Sequence, residues 1–127
     1  MINEDFCSYE VAKLLKEKGF EGDINAYYHI WDNGNKVCSV QEFSHSEAPH
    51  LYIPAPTHQM AMKWLREVHK LHITILWDCG ACIGKNSFCY HIDRIDNYED
   101  KGYNKIGFDS NEEAVETALK YCLENLI

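Results

Sequence analysis

The chain has 127 residues, of which 46% are hydrophobic and 25% charged, enough apolar material for one packed domain and too much for a disordered segment. Two domains would leave about 60 residues each, where a core becomes marginal without staples. Twenty acidic residues against twelve Lys and Arg give a formal net charge of -8. That balance opposes direct nucleic-acid binding, which needs cations to displace counterions along the phosphates. No apolar run reaches the roughly 18–20 residues of a membrane-spanning helix, and the opening Met1-Ile-Asn-Glu-Asp lacks the basic and apolar regions of a secretory signal. The expectation is a cytoplasmic protein with reduced thiols, as six cysteines without an export signal imply.

The first element is a helix over 8–18. Ser8 is its N-cap, Val11, Leu14 and Leu15 form the apolar stripe, and Gly19 supplies the left-handed residue that ends it. A hairpin follows, with strands from Ala26 to Trp31 and from Lys36 to Phe43. Between them Asn33-Gly34 tolerates the positive φ of a type I′ turn. Residues 44–56 hold all three prolines and read as an ordered crossing loop containing His45 and His50.

Thr57 caps a second helix running from His58 to Lys70, with Ala61, Trp64, Leu65 and Val68 facing inward. The period then shifts to two in His72-Ile-Thr-Ile-Leu-Trp-Asp, which puts Ile73, Ile75 and Trp77 on one face. A loop through Cys79 and Cys82 leads to a partner strand in which Phe88, Tyr90 and Ile92 alternate with Cys89, His91 and Asp93. Residues 96–108 read as an acidic loop bearing Tyr98 and Tyr103. The last helix opens on Ser110 and Glu113, a capping box. Its inward face is Val115, Ala118, Leu119, Cys122 and Leu126, with Glu116 and Lys120 as an i, i+4 pair on the wet side.

The expected fold is therefore α+β in the order α-β-β-α-β-β-α, a single domain over 1–127. Its two hairpins join into one four-stranded antiparallel sheet packed by three helices. Apolar residues on both faces of the hairpins favour helices on both sides, an α/β/α sandwich.

Pro54-Ala-Pro-Thr-His-Gln-Met-Ala-Met-Lys-Trp-Leu-Arg-Glu-Val-His and Asp109-Ser-Asn-Glu-Glu-Ala-Val-Glu-Thr-Ala-Leu resemble small proteins of phages and mobile elements in gut Bacteroidetes. The layout over 52–127 is also similar to phage α/β/α sandwich proteins. The resemblance implies a bacterial or phage accessory protein of the cytosol and carries no catalytic residues.

Cys79-Gly-Ala-Cys82 is the sharpest local motif. Redox dithiols normally open a helix, whereas Ile83-Gly-Lys-Asn-Ser is turn material, so that chemistry is disfavoured. Cys79, Cys82, Cys89 and His91 have the ligand types of a closed zinc site, although the spacing matches only in part. Cys7, Cys38 and Cys122 fit as buried apolar side chains, and His69 suits a helix C-terminus. No phosphate loop, serine elbow or HExxH segment occurs. No catalytic, cofactor-binding or metal residue is therefore assigned. The favoured reading is an interaction protein contacting a protein partner through its acidic, tyrosine-bearing C-terminal third. A zinc module on the 79–91 hairpin is the alternative.

Overall fold

The computed structural model describes residues 5–22, 24, 26–30, 36–40, 52–78 and 85–127, with backbone alone at 29, 30, 36–40 and 52. It contains helices α1 (Tyr9–Glu17), α2 (His58–Val68) and α3 (Asn111–Tyr121), the last continued by a π-helical turn over Cys122–Leu126. Strands are β1 (Ala26–Ile30), β2 (Lys36–Val40), β3 (Tyr52–Pro54), β4 (Leu71–Asp78), β5 (Ser87–Arg94) and β6 (Tyr103–Phe108). The α+β class is as expected, and among the described residues no helix is long and apolar enough to cross a membrane.

The single four-stranded sheet is not formed. Two three-stranded antiparallel sheets replace it, in the orders β2-β1-β3 and β4-β5-β6. The reason lies in two segments expected to be loops. In the proline segment, β3 pairs with β1 through Tyr27↔Pro54 and His29↔Tyr52, occupying the edge the second hairpin would need. Pro54 has no N–H to offer, so β3 suits an outer edge. In the acidic segment, β6 pairs with β5 from Ile92↔Tyr103 to Phe88↔Phe108. The register slips between Phe88 and Cys89, and Gly107 (φ 99°) lies in the extra stretch of β6, a positive φ that favours glycine at a bulge.

The hairpin pairings themselves agree with the alternating pattern. Ala26↔Val40 through Ile30↔Lys36 join β1 and β2, and the Asn33-Gly34 turn lies outside the described residues. Leu71↔Arg94 through Asp78↔Ser87 join β4 and β5. Tyr27 is buried, as are Ile73, Tyr90 and Ile92, with Ile75 and Phe88 packed against the core.

The caps work largely as expected. Ser8 Oγ accepts from Val11 N at 3.3 Å, and α1 ends with Phe20 N donating to Leu15 O around Gly19 (φ 88°). Thr57 Oγ1 accepts from Met60 N at 3.2 Å. Ser110 Oγ accepts from Glu113 N at 3.1 Å, but the Glu113 carboxylate takes the amide of Asp109, not that of Ser110. The expected box is thus displaced by one residue.

Helices α2 and α3 lie against one face of β4-β5-β6, and α1 packs against α3 and β3. The core is built from Val11, Leu15, Ala61, Leu65, Leu71, Ile92, Val115, Ala118, Leu119 and Leu123, among others. One expected inward position fails: Val68, the last residue of α2, is 57% exposed, and Trp77, near the end of β4 on the face it shares with buried Ile73, is 60% exposed.

Candidate functional site

Among the described residues, two regions carry chemistry that packing alone does not use. The first joins three segments distant in the chain. Residues 5–7 run antiparallel to Pro56–His58: Phe6 bridges Thr57, Cys7 N donates to Pro56 O, and His58 N donates to Asp5 O. This pairing places Cys7, one residue before the α1 cap, beside His58, the first residue of α2. Tyr28 reinforces it by donating its hydroxyl to Cys7 O at 2.6 Å. Glu116 reaches the same point from the middle of α3.

The Glu116 carboxylate is fully engaged there. Oε1 lies 2.8 Å from His58 Nε2 and accepts from Ser8 N at 2.8 Å, while Oε2 accepts from Ser8 Oγ at 2.8 Å. Ser8 Oγ therefore donates to the carboxylate while accepting from Val11 N, using both its proton and a lone pair. One donor of the α1 terminus is satisfied by a negative charge, the sign its dipole favours. Burial works against the ionised form of Glu116, yet the bonds from His58 and Ser8 outweigh it and hold the pKa below the ordinary carboxylate value.

Cys7 completes the group. Its thiol is buried, points at Thr57 O at 3.9 Å, and has a ligand atom within 4.8 Å of those of His58 and Glu116. Burial, with the neighbouring Glu116 charge second, pushes the thiol pKa well above its usual value. A protonated, enclosed thiol is a poor nucleophile, so a Cys-His-Glu arrangement alone does not make this a hydrolytic centre.

Sequence reasoning missed all three residues. It placed Glu116 on the wet side in a pair with Lys120, but that lysine instead meets Glu10 at 3.3 Å and Glu124 at 3.8 Å. A signal was present: positions 116, 119 and 123 share one stripe by i+3 and i+7, and Leu119 and Leu123 are both buried. For Cys7 and His58 the clue was weaker, since each merely adjoins a capping residue.

The second region is the outer face of β4-β5-β6, turned away from the helices. Paired positions put Leu76, Cys89 and Ile106 in one row across all three strands. Thr74, His91 and Asn104 form the next row, and His72 and Asp93 the one after. Leu76 is 53% exposed and Ile106 39% exposed. Beyond Asp93 the turn through 95–100 carries Tyr98, 94% exposed, among Asp96, Glu99 and Asp100. Arg94 Nε holds that turn through Asp100 Oδ2 at 3.2 Å.

The 79–91 zinc reading meets this face. Cys79 and Cys82 lie outside the described residues, as do His45 and His50. Cys89 and His91 do share the outer face, but His91 Nε2 is engaged by Asp93 Oδ1 at 2.9 Å. Cys122 is buried in the core, and burial raises its thiol to about 12.

Compared with known protein families, curated proteins and solved structures, the chain matches none.

Proposed function

We propose that this chain acts by binding another protein, as a cytoplasmic accessory domain of the phage and mobile-element kind. The observation that carries the reading is the outer sheet face, where an apolar row of Leu76, Cys89 and Ile106 crosses three strands. Leu76 on β4 and Ile106 on β6, bridged by Cys89 on the central β5, line up as an exposed apolar row, the kind of surface that gains from being covered. Across the polar middle of the face, Asp93 and the turn with Asp96, Tyr98, Glu99 and Asp100 supply acid and an exposed aromatic. Tyrosine buries large area at low entropic cost, and rim charge sets partner choice and encounter rate. The complementary partner is a protein with an apolar patch at one end of its contact and basic side chains at the other, in keeping with the chain's net charge of -8. Nucleic acid itself would be repelled by the same charge.

The test pairs Leu76→Lys/Ile106→Lys with the parent chain in pull-downs from the native host, followed by calorimetry on the recovered protein. Both substituted residues are exposed, so folding, checked by circular dichroism and urea midpoint, should be retained. Support is a partner bound stoichiometrically by the parent, lost with the double variant and weakened by salt. A partner retained equally by both chains, or none recovered by the parent, defeats the reading.

A further inference from the structure

We propose that Cys7, His58 and Glu116 form a binding site for one zinc ion. The inference uses none of the residues of the docking face and stands independently of it.

The donor set selects the metal. A thiolate and an imidazole suit a borderline-soft ion such as zinc, and one carboxylate completes a three-ligand set, whereas calcium and magnesium need mostly oxygen. Three protein ligands leave a fourth position for water, the pattern of zinc sites that stay open to exchange.

The distances also fit. Zinc takes thiolate sulfur at about 2.3 Å and nitrogen or oxygen at about 2.0–2.2 Å, which sets tetrahedral ligand atoms on the order of 3.3–3.8 Å apart. The ligand atoms of the three residues already lie within 4.8 Å of one another. His58 Nε2 and Glu116 Oε1, 2.8 Å apart, must open by roughly 0.5–1 Å to admit the ion between them. The ion then takes the place of the proton they share.

The scaffold is rigid where a site needs it to be. Cys7 and His58 belong to backbone segments bonded to each other on both sides of the Phe6–Thr57 bridge. Glu116 is aimed by two donors from Ser8, the kind of outer contact that orients a ligand carboxylate. The Glu116 side chain is 25% exposed, which leaves a way in from solvent on that side. Binding releases the Cys7 thiol proton to solvent and places the sulfur's charge against a divalent cation, the condition under which a buried thiolate is stable.

The test uses the full chain, stripped with chelator and titrated with zinc by calorimetry, and with Co²⁺ for its thiolate charge-transfer absorption. A background variant with Cys38, Cys79, Cys82 and Cys89 changed to Ser leaves only Cys7 and Cys122 as thiols. The expected result is one zinc per chain in both the parent and this background, with the Co²⁺ band present in each. Cys7→Ser should abolish the band and His58→Gln should weaken zinc strongly, while Ser8→Ala, which removes an aiming contact, should cost about 10–100-fold in affinity. If Cys7→Ser does not fold, the band in the four-serine background decides. No binding by the parent chain, binding lost in the four-serine background, or binding that survives Cys7→Ser in a folded chain overturns the assignment.

Discussion

Replacing Glu116 by alanine should cost this protein more than its surface-helix sequence context suggests. The carboxylate takes three bonds at 2.8 Å, two from Ser8 and one with His58. Hydrogen bonds to a charged group contribute about 1.5–3 kcal/mol each, and orphaning a buried partner adds its desolvation cost. Full loss would thus reach roughly 5–9 kcal/mol, but several effects reduce it. The side chain is 25% exposed, so water can reach the vacated donors, and removing the carboxylate relieves its own burial. A loss of about 2–4 kcal/mol is expected, with Glu116→Gln milder at about 1–2, since the amide oxygen can still accept from Ser8. Glu113→Ala is the control: the same residue type, one turn earlier and exposed, with a single 3.3 Å bond to Asp109 N, and expected to cost under about 0.5 kcal/mol. Urea unfolding followed by tryptophan fluorescence, with chelator present throughout, reads these differences without any contribution from metal. A double-mutant cycle with His58→Ala should show coupling above about 1 kcal/mol. If Glu116→Ala costs no more than Glu113→Ala, the three-segment knot does not hold the fold in the way argued.

Other consequences are equally direct. At Gly102 (φ 75°) an added Cβ would lie 2.5 Å from the Ile92 carbonyl oxygen and 3.0 Å from His91 Nε2, so Gly102→Ala should lower Tm by about 8–12 °C in calorimetry; a fall under about 3 °C contradicts it. Lys70 is the one non-glycine residue of positive φ (58°) among the described residues, at the turn from α2 into β4. Lys70→Gly should therefore raise stability by about 0.5–1 kcal/mol, left-handed strain outweighing glycine's entropy, and a loss in urea would be the wrong sign. Cys122, fully buried and with its thiol raised by that burial to about 12, should be alkylated well behind half-buried Cys89 at about pH 9 when the sites are mapped by mass spectrometry. Equal rates in the native protein would refute that protection.

Local chemistry determined a good deal of this protein. Helix starts at Ser8, Thr57 and Ser110 were legible because a cap is a contact between a side chain and an amide three residues on. Alternation likewise grouped Ile73 with Ile75, and Tyr90 with Ile92, on single strand faces, since strand period belongs to the segment itself, while which face is buried was left to the fold. Strand partnership was another matter. A three-residue strand ending in Pro54 has almost no signature of its own, and it exists because β1 has an open edge beside it. Tyr103–Phe108, polar and mostly exposed, is a strand because β5 templates it, and these two additions split one expected sheet into two. Glu116 shows the same divide at one residue. Its helical position was readable, but a carboxylate turns inward only where donors from elsewhere repay its desolvation, and Ser8 and His58 stand 108 and 58 residues away along the chain. Periodicity and caps are properties of neighbours in sequence; sheet edges and buried charges are settled by groups that only folding brings into contact.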